Sequence, residues 1–224
     1  MFSDRMPSSS RIARVCLAFV AALCLSWTMA WLLAQALMAH CGWLTTNGGR
    51  TGYWTAMKVL LWVLPSVFLI RYSGRSVRET ICGGSIRSAL VWGVGVGLLI
   101  GMETIGRKCL SGRDVSINVS WGFLNATVIA PIVEELTFRG AVLGSLMQRY
   151  RFSTANTATA FLFLCSHFPG WCFQGTLRDN LVQPFGGAVS VFLLGWVFGY
   201  VVLKSKSVAA GVLAHSINNL FSQL

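Results

Sequence analysis

Acidic side chains are scarce in this chain, seven among 224 residues. Charged residues of both signs together make up 11%, less than half the ~25% of an ordinary soluble domain. That shortage excludes a water-soluble globular surface. Cysteine is present in an odd number, seven, and no two form a Cys-x-x-Cys pair. Neither a disulfide framework nor a zinc-knuckle spacing can be read from them. The His-Glu-x-x-His signature of helical zinc proteases is missing. No internal repeat stands out, which argues against the paired halves that many ion-coupled transporters are built from.

What fills the chain is apolar: 54% of the residues are hydrophobic. Runs close to the ~20 residues that span a bilayer fall at Ile12–Ala39, Tyr53–Ile70, Ile86–Ile105, Val119–Met147, Thr154–Phe168, Phe185–Leu203 and Val208–Leu224. The pattern predicts an all-α polytopic membrane helix bundle of about seven, or with one missed segment eight, transmembrane helices. Residues 1–224 read as a single membrane domain. The fourth run is long and contains Pro131, which predicts a kink or a partly re-entrant helix. The first run is longer than the ~7–15 residues of a signal-peptide core and reads as a retained helix.

The 18 basic residues set an orientation. With the N-terminus in the cytoplasm, Arg5, Arg11, Arg14, Arg71, Arg75, Arg78, Arg87, Arg149, Arg151, Lys204 and Lys206 lie inside, eleven in all. Arg50, Arg107, Lys108, Arg113 and Arg178, five, lie outside, while Lys58 and Arg139 fall within spans. The bias predicts a cytoplasmic N-terminus and, with seven spans, an external C-terminus. A net charge of +11 is therefore mainly a topology signal that also suits contact with anionic lipid. The basic residues are scattered over short loops, unlike the gathered patch of a nucleic-acid binder.

Two of the few carboxylates, Glu134 and Glu135, stand side by side inside the fourth apolar run. Each costs about 2.5–3.5 kcal/mol at the centre of a bilayer even on a lenient scale. Glu135 and Arg139 are four residues apart and share a helix face, so they can pair. Glu134 points about 100° away and is left for other work. Both could instead hold helices together as an ion-pair network. His167 follows Phe163-Leu-Cys-Ser and precedes Phe168-Pro169-Gly170, which ends the helix and places the imidazole near a membrane face. His215 and Asn219 are four apart on one face of the last run. Asn218 lies on another face and serves only the backbone. His40 sits at a helix end and reads as incidental. Gly195 and Gly199, with Gly93, Gly95, Gly97 and Gly101, are helix-packing positions. Two glutamates, two histidines and an amide at membrane depth in one half of the chain supply a base, a second imidazole and a hydrogen-bond donor. Those are the parts of a water-activating hydrolase.

In these residues the chain resembles the CPBP family of intramembrane proteases, also called the ABI or type II CAAX-endopeptidase family. The family shows Glu-Glu-x-x-x-Arg, Phe-x-x-x-His and His-x-x-x-Asn/Asp motifs on successive helices. Here they read Glu134-Glu135-Leu136-Thr137-Phe138-Arg139, Phe163-Leu164-Cys165-Ser166-His167 and His215-Ser216-Ile217-Asn218-Asn219. The resemblance covers residues 118–222, the protease-like core, and leaves 1–117 as variable N-terminal helices. It implies an endopeptidase with Glu134 as general base, His167 helping to activate water, His215 and Asn219 holding the oxyanion, and Glu135 and Arg139 in support. No cofactor is expected; a zinc alternative would use Glu134, His167 and His215 as ligands. The implied substrate is a peptide or membrane protein without an assumed prenyl group, and the implied location is a bacterial inner membrane. Two other readings are a non-catalytic immunity or scaffold protein and an ion-coupled transporter.

Overall fold

The computed structural model describes residues 7–112 and 116–224. Arg5 and Arg113, counted above for orientation, lie outside the described residues. Those described form helices and loops without a strand. In chain order the helices are α1 Ser9–Met38, α2 Gly42–Thr45, α3 Asn47–Tyr72, α4 Val77–Cys82, α5 Ile86–Leu110, α6 121–146, α7 Phe152–Cys165, α8 Phe168–Phe173, α9 Leu177–Val182, α10 Ala188–Ser205 and α11 Val208–Gln223.

Four of these are long and apolar enough to cross a membrane: α1, α3, α5 and α10. The other three expected spans coincide with α6, α7 and α11. Helices α7 and α11 have 14 and 16 residues, short of the ~20 that a crossing perpendicular to the bilayer takes. In α6 the polar site residues interrupt the apolar run. Large apolar side chains such as Leu25, Phe68, Ile86, Leu99 and Met102 point outward, as the surface of a protein solvated by hydrocarbon does.

At Pro131, where the sequence predicts a kink or a re-entrant helix, the helical structure continues. Helix α6 runs through it, and α3 likewise runs through Pro65. Each proline is preceded by one π-helical turn, Asn125–Ile129 in α6 and Val59–Val63 in α3. Proline cannot donate to the carbonyl four residues back and its ring crowds that carbonyl. A wider turn just before it absorbs both defects without ending the helix.

The larger core joins α1, α3, α6 and α7 around Trp27, Trp62, Phe138 and Phe163. These rings follow one another edge to face: Trp27 to Trp62 at 5.2 Å, Trp62 to Phe138 at 5.8 Å, Phe138 to Phe163 at 5.1 Å. A second core joins α5, α10 and α11. There the glycines of α5 are required by proximity. A Cβ on Gly93 would stand 2.8 Å from the Ala210 carbonyl and one on Gly97 would stand 2.9 Å from Ile217 Cβ, whereas Gly95 meets nothing. The stripe therefore seats α5 against α11, the helix that carries His215.

Loops gather at two ends. At one, Arg75 donates to the Gly140 and Ala141 carbonyls, Gln148 donates to the Ser73 carbonyl and Ser207 donates to the Ile81 carbonyl. At the other, Lys108 donates to the Ser222 carbonyl, the Ser116 amide donates to Leu224, and Arg107 lies over the Phe185 ring.

Candidate active site

Helix α6 presents Ala126, Ala130 and Glu134, spaced by four residues, along one wall of a cavity of about 320 Å³. Asn125 one position before Ala126, Phe163 and His167 from α7 and its end, Val191, Leu194 and Phe198 from α10, and His215, Asn218 and Asn219 from α11 complete the lining. Glu134, His167, His215 and Asn219, named from the sequence, are thus brought together on one space. Glu135 and Arg139 stand behind them. Asn218 belongs to the lining as well, a correction to the sequence reading: its amide donates to Asn219 Oδ1 at 3.1 Å.

The paired glutamates do different things. Glu135 is fully buried and stands 3.0 Å from Arg139 Nη1. It also accepts from His215 Nδ1 at 2.9 Å, a contact the sequence did not announce. Arg139 is buried too, donates through Nη2 to the Gly195 carbonyl at 2.9 Å, and lies 4.5 Å over the Phe163 ring. Gly211 permits this packing, since a Cβ there would meet Glu135 Oε2 at 2.9 Å. Gly199 plays the same part for α7, where a Cβ would collide with the buried Asn156 amide. Glu134, by contrast, receives no hydrogen bond from the described residues, and among them the one Lys, Arg or His nitrogen within 4.0 Å of it is His215 Nε2, at 4.0 Å.

The ring nitrogens can be assigned from their neighbours. A carbonyl only accepts, so His167 Nδ1, 2.9 Å from the Phe163 carbonyl, carries the hydrogen. Neutral His167 then has its lone pair on Nε2. His215 Nδ1 faces the Glu135 carboxylate and donates in the same way. Asn219 spends one amide hydrogen on the Ala126 carbonyl at 2.8 Å.

A zinc site needs three converging protein ligands and an open position. Among the described residues no three His, Cys, Asp or Glu side chains come close enough together to hold a metal ion. The Nδ1 hydrogen bonds leave each Nε2 free, but the side chains as placed do not converge as a three-ligand metal set.

A membrane helix bundle with two glutamates, two histidines and amides around one internal cavity is the class that fold and site define. Residues 116–221 match the model of the Rce1-like family, described as type II CAAX prenyl endopeptidase Rce1-like. Through this segment, a little under half of the chain, the protein is similar to that family. No curated protein and no solved structure matches the chain.

Proposed function

We propose that the protein is an intramembrane endopeptidase in which Glu134 activates a water molecule without a metal. The observation that carries this reading is the convergence of Glu134, His167, His215 and Asn219 on one cavity, with Glu134 unpaired beside a fully engaged Glu135. The family match adds the protease class. A water hydrogen-bonded to Glu134 and to His167 Nε2 has its lone pair aimed at a substrate carbonyl. Glu134 takes one proton as the oxygen bonds to the carbonyl carbon. The carbonyl π electrons move onto oxygen, which faces the second amide hydrogen of Asn219 and His215, whose Nε2 donates when the ring is protonated. Collapse breaks the C–N bond, and the departing amine takes the proton from Glu134. Fixed donors aimed at charge that develops only in the transition state are worth several kcal/mol in a site shielded from water, roughly 3–4 each. Glu135 holds the proton on His215 Nδ1 and so fixes the ring, and Arg139 holds Glu135.

The proposed substrate is a peptide or a membrane-protein segment whose scissile bond enters the cavity between the helices. The preferred location is a bacterial inner membrane with the N-terminus in the cytoplasm. The two groups of loops, one rich in basic residues, support an alternating arrangement of the helices across the bilayer. The test is cleavage of a membrane-embedded peptide library by purified protein in proteoliposomes, wild type against Glu134→Gln. Equal cleavage by both excludes Glu134 as the base. No cleavage by either favours a binding protein that has kept the fold.

A further inference from the structure

Lys58 lies in the middle of α3, in the half of the chain outside the family match, and is 8% exposed. A lysine at such depth is costly and needs a partner. No carboxylate of the described residues stands within 4.0 Å of it. Its ammonium donates instead to Asn125 Oδ1 across 67 residues of sequence, at 3.3 Å. Asn125 opens the π turn of α6 and lines the same cavity as Glu134 and the two histidines. In a regular α-helix positions 125 and 134 would face opposite ways, nine residues at about 100° each. The extra residue of the π turn rotates Asn125 back toward the side of Glu134.

The lysine decides which way the amide points. An ammonium has three donors and no acceptor, so the carbonyl end of Asn125 must face Lys58 and the NH2 end must face away. That nitrogen finds no acceptor among the described residues, and it is not one of the buried atoms sealed from solvent. The other two amides on the cavity each spend one of their two hydrogens inside the protein, Asn218 Nδ2 on Asn219 and Asn219 Nδ2 on the Ala126 carbonyl. His215 Nε2 can donate only as imidazolium, because Nδ1 already carries the ring's hydrogen.

We infer that Asn125 is a further catalytic residue, a neutral amide donor to the oxyanion or substrate carbonyl, and that Lys58 is the positioning residue that turns its NH2 into the cavity. The assignment rests on the protease reading. It gives the N-terminal half a part in the site: α3 supplies the charge that orients a group on α6.

The experiment is a double-mutant cycle in proteoliposomes, with Asn125→Ala, Lys58→Met and the pair together, read as kcat and KM. Asn125→Ala should lose about 10²–10³-fold in kcat, as loss of one oxyanion donor does, with KM nearly unchanged. Lys58→Met should lose kcat in the same way. The double variant should be no worse than Asn125→Ala if Lys58 acts through that amide, and a larger loss would mean that its charge acts directly on Glu134. Lys58→Gln, which can still donate to Oδ1, should recover part of the rate. Wild-type kcat in Asn125→Ala overturns the catalytic assignment. Additive losses overturn the positioning role of Lys58. A dead Glu134→Gln beside a fully active Asn125→Ala sinks this inference and spares the protease, whereas an active Glu134→Gln sinks the protease reading first. The contact itself is tested without turnover by melting the same variants in detergent. Lys58→Met and Asn125→Leu should shift Tm non-additively, and strictly additive shifts would refute the pair.

Discussion

Glu134 and Glu135 are chemically identical and adjacent, and under the proposed mechanism only their surroundings separate base from support. Glu135 is enclosed by Arg139 and His215, while Glu134 has the cavity in front of it. Glu134→Gln keeps size and polarity but cannot take a proton. It should lower kcat by about 10²–10⁴-fold, the usual contribution of a positioned base, with an unchanged elution profile in detergent. Arg139→Ala should act differently, because it leaves Glu135 buried with its cation gone. Truncating one partner of a buried ion pair costs about 3–5 kcal/mol, so Tm should fall together with activity. A variant that melts like wild type would mean that His215 alone satisfies Glu135. At this scale much of the site was legible in the sequence. Charges inside an apolar run announce themselves, and the four-residue spacing of Glu135 and Arg139 gave their pairing. Two contacts were not legible, His215 to Glu135 and Lys58 to Asn125, because their partners are 80 and 67 residues apart. Asn218 was misplaced for a related reason. Helical spacing fixes a direction around one helix, but the cavity wraps the end of α11 widely enough to touch two neighbouring directions.

The helices show how little tolerance the site has. Helix α11 carries His215 and both asparagines, and α5 lies close along it because Gly93 and Gly97 have no Cβ. Gly97→Leu must drive the two helices apart or distort Ile217 and Ala214. Overpacking of this kind costs about 1–3 kcal/mol. Its mark should be a lower Tm with a fall in kcat, since His215 moves with its helix. Gly95→Leu on the outward face is the control and should leave both unchanged. If both leucines are silent, α5 is not what seats α11. The sequence marked these glycines as packing positions but could not choose among them. Period alone does not say which face meets a neighbour. The π turns were not legible either. A proline in an apolar run predicts a defect, and whether the chain breaks or widens there depends on whether neighbouring helices hold both halves in line.

For the whole molecule, the proposed reading predicts two properties. The first is indifference to chelators. As placed, the cavity has no three-ligand set, so under the proposed mechanism turnover should survive EDTA and phenanthroline. Activity lost on chelation and restored by zinc alone would reassign His167 and His215 as ligands. The second is orientation, which the natural cysteines can report. Cys82 is exposed at the end of α4, in the group of loops that holds Arg75, Gln148 and Ser207. Cys109 is exposed in the last turn of α5, beside Lys108 and the C-terminus. Cys172 is exposed in α8, which follows the short helix that ends near His167. Under the proposed orientation the excess of Arg and Lys around Cys82 puts that end in the cytoplasm. In single-cysteine variants expressed in intact spheroplasts, a membrane-impermeant maleimide should then modify Cys109 and Cys172 and leave Cys82 unlabelled until the membrane is permeabilised. The cavity residues Asn218 and Asn219 lie on the last turns of α11, toward the Cys109 end. This orientation would therefore have substrate reach Glu134 from the external half of the bilayer. Labelling of Cys82 alone in intact cells would invert the molecule and bring the substrate from the cytoplasmic side, with the same residues facing it.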